Sequence, residues 1–422
     1  MVDRCARVAV LVAALVLACS WLRPSRSASV SLPAAADSLV DSVGVNIHLH
    51  YDKTPYRDRF ALIKRRLLEL GVRHVRDGLV DTTWRRYYER HNELGEAGIK
   101  GTFITAPEQS VELWTDYPTR VKRSFEAYEA PNEYDIKGRR PDWAPVLRDT
   151  LRRLHGLKAD RRVARFPIYG ASLTSEKAYA QLGDFSDYYD FANLHNYYGG
   201  RHPSTRGWGP KRYGSLSWHF NLTTQYARGR PIVTTETGYK DHPSEENWVP
   251  QDVAGRYMPI VVLEQFRAGI VRTYLYELID FPKSGHFGLL NQNGSPKPAF
   301  NAVKSLLNLL ADPGPPFTPS DLAYTVRNDS GDVRHVAFQK RNGTSFVALW
   351  LAKQSYSQED GKRVNVATEH VVMTVPRDVE RVRTHEWQID GSVSTSPWSR
   401  AWAMEPVPVA DRLVVVEMAS NR

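Results

Sequence analysis

Short apolar runs alternate with longer amphipathic stretches along residues 43–276. Between the first two runs, Phe60, Ile63, Leu67 and Leu70 recur at helical spacing and predict a helix over residues 56–70. Eight apolar runs are predicted strands: 43–49, 72–79, 99–106, 124–130, 166–171, 191–197, 231–235 and 269–276. Regular strand–helix alternation indicates a parallel sheet, and eight units of this length have the size of a (β/α)8 TIM barrel. We therefore predict a barrel over residues 37–312.

A different pattern follows the barrel. Residues 299–310 predict a last helix, and the proline-rich stretch 313–320 predicts a linker because it interrupts every period. Short runs rich in Val, Thr and aromatic residues follow at 333–340, 345–352, 370–375, 382–388 and 413–418. Turn residues such as Asn342-Gly343 separate them, which predicts a small antiparallel β-sandwich over residues 321–422. The predicted fold class is α/β, a barrel followed by a sandwich.

Residues 1–36 have the pattern of a secretory signal peptide. Arg4 and Arg7 precede an apolar run at 8–18, and small residues follow up to position 36. The run is shorter than the roughly 20 residues of a membrane-spanning helix. A secreted, periplasmic or cell-surface protein is therefore expected, with no integral membrane association. Two alternatives stay open: an uncleaved N-terminal anchor, and a lipid anchor on Cys19, whose context imperfectly resembles a bacterial lipobox.

Composition narrows the class of protein. A hydrophobic fraction of 42% and a charged fraction of 24% exclude disordered, collagen-like and coiled-coil chains. The two cysteines, Cys5 and Cys19, both lie in the predicted signal peptide, so a cysteine nucleophile, a Cys-ligated metal and a disulfide are excluded from the mature chain. The net charge of +9 comes without a long basic block, so no nucleic-acid partner is expected. A mild positive excess is compatible with an acidic polymer as partner, and a monomer is expected.

Two glutamates end predicted strands at the positions where barrel enzymes carry their chemistry. Catalytic side chains of such barrels lie at the C-terminal ends of the strands. Glu133 follows the fourth strand and Glu236 ends the seventh, and these strands face each other across the barrel mouth. Cleavage of a glycosidic bond needs one carboxylic acid to protonate the leaving oxygen and one carboxylate at the anomeric carbon. A spacing of about 5–5.5 Å between the two carboxyl groups implies retention of configuration.

These residues resemble glycoside hydrolase clan A, the retaining (β/α)8 glycosidases, over residues 42–312. The motifs that carry the resemblance are Asn132-Glu133, Thr235-Glu236-Thr237-Gly238, Arg76, His195 with Tyr197, and the barrel-closing segment 287–300. The resemblance implies that Glu133 is the acid/base and Glu236 the nucleophile, that Arg76 steadies the nucleophile, and that Tyr197 donates a hydrogen bond to it. A trailing sandwich is similar to that of family 39 members.

One position departs from the clan. Many members carry a Trp after the eighth strand as the floor of the sugar site, and this chain has Tyr276. The departure puts the substrate in doubt more than the reaction. The predicted substrate contacts are Arg76, Asn132, His195, Tyr197, Tyr198, His48, Trp208 and Tyr276. The substrate is expected to be a poly- or oligosaccharide, acidic polymers included, and no metal or cofactor is expected.

For several neighbouring residues, the sequence is compatible with two roles. The long loop at 197–222 holds Trp208 and basic residues, and it is either a sugar-binding groove or a self-packed lid. Whether it leaves a groove or closes a pocket decides between endo and exo action. Asp77 is either a sugar ligand or the partner in an ion pair. Glu129 lies in the alternating part of the fourth strand, and a structural role is predicted for it.

Two other functions compete with the glycosidase. His48-Leu49-His50 ends the first strand and resembles the metal pair of amidohydrolases, which His195 and Asp280 could complete. Against this reading, the fifth strand ends without the histidine of that family, and Glu133 stands where that family has a lysine. The third hypothesis is a catalytically silent barrel that binds glycans, which needs aromatic side chains but not both carboxylates.

Overall fold

The computed structural model describes residues 32–137, 141–282, 284–328 and 330–420. The α-helices are α1 Ala36–Asp41, α2 Pro55–Asp58, α3 Phe60–Leu70, α4 Arg86–Glu96, α5 Val111–Arg120, α6 Tyr134–Lys137, α7 Trp143–Gly156, α8 Glu176–Leu182, α9 Leu216–Gln225, α10 Gln251–Arg267 and α11 Pro298–Leu310. Most of the predicted signal peptide, Cys19 included, lies outside the described residues. No helix of the described ranges is both long and apolar enough to cross a membrane.

Strands β2 to β9 build a parallel barrel. They are β2 Val43–Asn46, β3 His74–Gly78, β4 Lys100–Ile104, β5 Phe125–Glu129, β6 Ile168–Tyr169, β7 Ala192–His195, β8 Ile232–Thr237 and β9 Arg272–Leu275. The sheet order is β6-β5-β4-β3-β2-β9-β8-β7, and a parallel bridge between Tyr169 and Phe191 joins its two ends. Seven of the eight predicted strand runs contain one of these strands, and the run 231–235 overlaps β8, which continues to Thr237. The predicted (β/α)8 barrel is therefore confirmed.

The helix predicted over residues 56–70 is two helices. Pro55 begins α2, where a missing backbone N–H costs nothing. Arg59 then leaves the helical region with φ −129° and ψ 43°, and α3 begins at Phe60. The Arg59 guanidinium donates to the carbonyl of Asn293 at 2.8 Å, so the break lets this side chain reach the barrel-closing segment.

The barrel interior changes from apolar to polar toward the mouth. Its lower layer packs Ala127, Tyr169, Val233 and Tyr274 together. Two residues further along several strands, the inward side chains are polar and almost fully buried. This polar layer consists of Asn46, Arg76, Glu129, Asn193 and Thr235. Barrel interiors are usually filled by branched apolar side chains. A buried polar layer next to the mouth therefore indicates a role other than filling the core.

The C-terminal strands form sheets that pack against the barrel. They are β10 Thr325–Arg327, β11 Val333–Gln339, β12 Ser345–Leu351, β13 Tyr356–Ser357, β14 Lys362–Arg363, β15 Glu369–Thr374, β16 Arg381–Trp387, β17 Val393–Thr395, β18 Ser399–Arg400, β19 Val407–Val409 and β20 Val414–Ala419. The larger sheet runs β11-β12-β20-β16-β17, and β10-β15-β19 form a smaller one. All five strand runs predicted in this region are present, and they pair antiparallel with the other C-terminal strands.

Strand β12 lies between two cores because both of its faces are buried. Phe346 and Trp350 belong to the core shared with the barrel helices, whereas Val347 and Leu349 pack with the smaller sheet. The Trp350 indole donates at 3.0 Å to Glu264 of α10, and the Trp387 indole donates at 2.9 Å to a carbonyl of α11. These contacts fix the larger sheet against the barrel.

Residues just before the barrel also belong to this larger sheet. Strand β1, Ala34–Ala35, pairs in parallel with Phe338 and Gln339 of β11, and Ala36 is fully buried at the start of α1. The sequence pattern did not predict this strand, because two alanines carry no strand signal. The predicted boundaries at residues 36 and 313–320 stay predictions. In the fold, α11 ends at Leu310 and β10 begins at Thr325.

Candidate active site

Glu133 and Glu236 meet at the barrel mouth. Glu236 lies within β8, and after a register shift in β7 the Cα of His195 pairs with that of Glu236. Glu133 follows β5 with φ 43°, a backbone conformation that residues other than glycine rarely adopt. Such strain is found mostly at functional sites, where the surrounding structure enforces it. One carboxylate oxygen of each glutamate and one ring nitrogen of His195 lie within 4.8 Å of one another.

The carboxylate of Glu236 is held in its ionised form. Arg76 Nη1 donates to its Oε1 at 2.6 Å, and the Tyr197 hydroxyl donates to its Oε2 at 2.9 Å. Burial alone would raise its pKa, but the positive charges of His195 and Arg76 and the two hydrogen bonds lower the pKa of Glu236 to about 2. The group is therefore a carboxylate at neutral pH and presents a negative charge to the cleft.

The polar layer orients Arg76. Its Nε and Nη2 donate to the two oxygens of Glu129 at 2.7 and 2.8 Å, in the bidentate geometry that fixes a guanidinium plane. Asn46 and Asn132 accept further hydrogen bonds from it at 2.8 and 2.7 Å. Because the Asn132 oxygen faces Arg76, its amide NH2 is available to the cleft. The guanidinium is thus held by three side chains besides Glu236.

Asn193 and Thr235 complete the layer around Glu129. The Asn193 amide and the Thr235 hydroxyl both donate to Glu129 Oε1, at 3.1 and 3.0 Å. Glu129 is fully buried, and a buried carboxylate is tolerated only when it is paired and hydrogen-bonded. The structural role predicted for Glu129 therefore takes a specific form: it positions the arginine that binds the Glu236 carboxylate.

His195 contacts Glu133 instead of lying open to substrate. Its Nδ1 is 2.8 Å from Glu133 Oε1, and its Nε2 is 3.0 Å from the Thr235 hydroxyl. The ring is buried, so its orientation is fixed from both sides. The sequence predicted a substrate contact for His195. In the structure, this residue links the acid/base candidate to the polar layer.

A cleft of about 420 Å³ opens beside the two glutamates. His48, Tyr51, Asn132, Tyr134 and Tyr276 are among the side chains that line it. Tyr51 is 38% exposed and stacks on the His48 ring at 4.5 Å between ring centroids. Exposed aromatic rings at a cleft are suited to the apolar faces of sugars.

Asp77 and Glu277 each contact a histidine that follows the first barrel strand. Asp77 is 3.1 Å from His50 Nδ1 and 3.2 Å from His91 Nε2. Burial would raise its pKa, but the hydrogen bonds from both histidines hold the pKa of Asp77 well below its usual range. Asp77 is thus a buried partner of two histidines, and it is not among the described side chains that line the cleft. His48 Nε2 lies 3.3 Å from Glu277, which follows Tyr276 through a cis peptide bond.

The structure brings six of the eight predicted substrate contacts to the site: Arg76, Asn132, His195, Tyr197, His48 and Tyr276. Two others lie elsewhere. Tyr198 is fully buried, accepts a hydrogen bond from Gln265 and stacks on Tyr239, so it is a packing residue. Trp208 bridges to Tyr213 and lies under Arg201 within its own loop.

The loop predicted over residues 197–222 is shorter than expected. Its last residues belong to α9, which begins at Leu216 with the Ser215 hydroxyl as its N-terminal cap. The contacts of Trp208 with Tyr213 and Arg201 correspond to the self-packed alternative. Trp208 does not line the cleft that the described residues form.

Site residues that the sequence reasoning missed are Asn46, Tyr51, Asn193 and Thr235. Three of them stand at inward positions of β2, β7 and β8, so the alternation of those strands carried a signal. Polar residues at inward positions of an apolar strand are the feature to look for. Tyr51 follows the first strand in a loop, and only its exposure in the structure distinguishes it from a packed tyrosine.

The side chains that the amidohydrolase hypothesis assigns to a metal site do not point to one common position. His48 faces Glu277, His50 faces Asp77, and Asp280 is 2.7 Å from Lys297. Within the described ranges, the one group of His, Asp and Glu close enough to share an ion is Glu133, His195 and Glu236. The Arg76 guanidinium already neutralises Glu236 there and would repel a cation. The side-chain geometry therefore does not support the amidohydrolase reading.

Glu129→Gln is expected to destabilise the fold by about 1–3 kcal/mol, because Glu236 still neutralises Arg76 but the amide leaves buried donors of Arg76, Asn193 and Thr235 without an acceptor. Chemical denaturation of the purified protein measures the change. Glu246→Gln is the matched control, since Glu246 is exposed and its loss should change stability by less than about 0.5 kcal/mol. Equal stabilities of the two variants would contradict the role given to Glu129.

No protein-family model matches the chain, and no curated protein sequence is significantly similar to it. Solved structures are similar in fold. A family 39 glycoside hydrolase from the gut symbiont Bacteroides cellulosilyticus WH2 superposes with a TM-score of 0.58 at 17% identity, over 92% of this chain and 83% of that chain. This similarity covers both the barrel and the C-terminal sheets, and at this identity it establishes the fold alone.

Two further structures each cover about two thirds of this chain. One is a GH5_18 protein from Bifidobacterium longum subsp. infantis, at 16% identity over 63% of this chain and 78% of that chain, with a TM-score of 0.46. The other is a GH128 endo-β-1,3-glucanase from Amycolatopsis mediterranei, at 15% identity over 63% and 99%, with a TM-score of 0.43.

Proposed function

We propose that this chain is a retaining glycoside hydrolase that cleaves O-glycosidic bonds of a poly- or oligosaccharide. The observation that carries the proposal is the pair Glu133 and Glu236 at the barrel mouth, with carboxylate oxygens within 4.8 Å of one another. Retaining enzymes hold their two carboxyl groups about 5–5.5 Å apart, whereas inverting enzymes need about 6.5–9.5 Å to admit a water molecule. The fold shared with a family 39 glycoside hydrolase is compatible with this reaction.

The first half-reaction needs two different protonation states. Glu236 is ionised, because Arg76 and Tyr197 stabilise its charge, and it attacks the anomeric carbon. Glu133 carries a proton and delivers it to the leaving oxygen as the C–O bond breaks. The products are a glycosyl ester on Glu236 and the free leaving alcohol.

The second half-reaction reverses the roles. Glu133, now a carboxylate, takes a proton from water, and the resulting nucleophile attacks the anomeric carbon and releases Glu236. His195 lies 2.8 Å from Glu133 and fixes the carboxyl group that must exchange this proton. The net configuration is retained after two inversions, and both glutamates return to their starting states. The chain's own residues supply both the proton and the nucleophile.

The side chains that line the cleft favour a saccharide as the class of substrate, but they do not select one sugar. Tyr51 and Tyr276 offer aromatic faces beside the nucleophile, and the Asn132 amide is aimed at the hydroxyl next to the attacked carbon. Both features suit a pyranose ring bound at Glu236. We further propose export through the segment 1–36, with a lipid anchor on Cys19 as the alternative to cleavage.

Covalent labelling tests this proposal. Incubation with a panel of 2-fluoro glycosyl fluorides is expected to add one fluorosugar mass to the protein, and peptide mapping should find it on Glu236. The sugar that labels also identifies the substrate class. No adduct from any sugar of a broad panel, together with glycan binding on an array, would overturn the retaining mechanism in favour of the silent glycan-binding barrel.

Tyr197→Phe is expected to shift the acid limb of the pH profile of kcat/KM upward by about one to two units. The Tyr197 hydroxyl donates to the ionised Glu236 and so lowers its pKa. Loss of a hydrogen bond to a charged group is worth about 1.5–3 kcal/mol, and each pKa unit corresponds to about 1.4 kcal/mol. The nucleophile would then become protonated at a higher pH. An unchanged acid limb would show that Tyr197 does not stabilise the reactive carboxylate.

A further inference from the structure

A second pocket lies outside the catalytic cleft, where the loop after β7 meets α10 and the C-terminal sheet. It has a volume of about 310 Å³, which is within the size range of small-ligand sites. Four of its lining residues are arginines: Arg206 and Arg212 from the loop, Arg267 from the end of α10, and Arg334 from β11. We call it the arginine pocket. Both the barrel and the C-terminal sheet contribute positive charge to it.

The positive charge of this pocket is not balanced by the protein. The carboxylate that lines it, Glu264, accepts hydrogen bonds from the Trp350 indole at 3.0 Å and from the Ser204 hydroxyl. The same carboxylate lies 3.5 Å from Arg267, so its negative charge is already paired with that arginine.

The three other arginines are left without counter-charges. Arg206, Arg212 and Arg334 form no ion pair with any carboxylate of the described ranges, and Arg334 donates only to the Gly331 carbonyl. Arg206 and Arg212 are exposed and Arg334 is half-buried, so an anionic ligand in the pocket would pair with charges that the protein leaves unpaired.

The chemistry of the lining indicates which anion fits. Guanidinium groups offer planar pairs of N–H donors that match the two oxygens of a carboxylate or sulfate group. Ser217 and Asn221 add a hydroxyl and an amide, and Phe220 adds an aromatic ring. Charged, polar and apolar groups around one cavity suit a sugar unit that carries an acidic substituent better than they suit a bare ion.

We propose that the arginine pocket binds a carboxylate- or sulfate-bearing sugar unit of an acidic polysaccharide, as a secondary site separate from the catalytic cleft. The saccharide class rests on the proposed glycosidase function, whereas the anionic character rests on the arginines alone. The pocket also gives the C-terminal sheet a part in ligand binding, through Arg334. The loop that supplies Arg206 and Arg212 begins beside Tyr197 of the catalytic site.

The test measures binding in the full-length protein carrying Glu236→Gln, so that no probe is cleaved. The probes are a galacturonate hexamer, a heparin hexasaccharide and cellohexaose. Calorimetry measures the affinity of the protein for each of them. The two anionic probes separate carboxylate from sulfate as the group bound. At least one of them should bind at least tenfold more tightly than neutral cellohexaose, and its affinity should fall as salt rises.

Arg206→Gln combined with Arg334→Gln should weaken that binding at least tenfold and leave cellohexaose binding unchanged. The matched control is Arg161→Gln combined with Arg377→Gln, which removes the same charge from exposed positions of the barrel and of the C-terminal sheets. Equal losses in both double variants would overturn the proposal in favour of diffuse surface charge. Equal binding of all three probes would also overturn it, and so would inorganic phosphate binding as tightly as the oligosaccharides.

A failure of the proposed glycosidase would be distinguishable from these results. It would appear as the absence of a covalent adduct on Glu236, in an experiment that does not involve the arginine pocket. Anionic binding that depends on Arg206 and Arg334 would still stand in that case, as the property of a glycan-binding barrel.

Discussion

Glu236→Gln is expected to lower kcat by about four orders of magnitude or more on any good substrate, because an amide cannot form the glycosyl ester. The substitution keeps the shape of the side chain. It also leaves Arg76 neutralised, since Glu129 binds the same guanidinium through two hydrogen bonds. The fold should therefore persist, and the loss should appear in kcat and not in the unfolding midpoint. Steady-state kinetics on the sugar identified by covalent labelling, with thermal unfolding in parallel, measures both.

Glu246→Gln is the control for this prediction, because it makes the same chemical change at an exposed position. It should retain wild-type kcat. Residual activity of the Glu236 variant above about 10% would contradict the nucleophile assignment, since removal of a nucleophile costs orders of magnitude. An equally large loss in the control would instead indicate a preparation or folding fault.

The barrel could be predicted from the sequence because its strands are short apolar runs at regular spacing. Strand ends in such a fold converge on one face, so Glu133 and Glu236 could be placed together without coordinates. The break between α2 and α3 could not be predicted in this way. It depends on the contact of Arg59 with Asn293, which is 234 residues away along the chain.

The polar layer was harder to predict than the strands that carry it. Asn46, Asn193 and Thr235 are ordinary strand residues when each is considered alone. Their role comes from the closure of the barrel, which places side chains from three other strands around Arg76 and Glu129. Hydrophobic periodicity identifies which residues point inward, but it does not say which inward residues from distant strands share a level of the barrel.

Loop residues were the least predictable part of the site. Trp208 and Tyr198 were predicted to contact substrate because they lie in an aromatic-rich loop after the sixth barrel strand. Tyr198 instead packs against Tyr239 and Gln265, and Trp208 packs within its loop. Loop conformation depends on glycines with positive φ, such as Gly207 and Gly214, whose backbones lie close to Arg212 and to the Trp208 ring. Sequence alone does not reveal such close contacts.

Glu133 and Glu236 are both carboxylates, and their surroundings give them different tasks. Glu236 is bound by a permanent positive charge and by a phenol, which stabilise its ionised form. Glu133 is partly exposed, and its carboxyl group lies 2.8 Å from His195 Nδ1. Two carboxyl groups whose environments separate their protonation states form an acid and a base.

Glu133→Ala is expected to slow the hydrolysis of substrates with poor leaving groups much more than that of substrates with good ones. A poor leaving group needs the proton that Glu133 donates. Hydrolysis of a natural oligosaccharide should fall about 10²- to 10⁴-fold, the typical contribution of general acid catalysis. A dinitrophenyl glycoside needs no protonation, so formation of the glycosyl ester on Glu236 should remain fast. Its release should then be slow, because no base activates water. A burst of dinitrophenol followed by a slow steady state is the expected time course.

Azide separates the roles of the two glutamates in this variant. As an anion it needs no general base, and it fits the space that the Glu133 carboxylate leaves. It should therefore accelerate the slow step, and the glycosyl azide formed should keep the configuration of the substrate, since Glu236 has already inverted it once. A product of opposite configuration would mean that azide attacked the substrate directly and that Glu133 was the nucleophile. Equal losses on both kinds of substrate, with no response to azide, would contradict the acid/base assignment of Glu133.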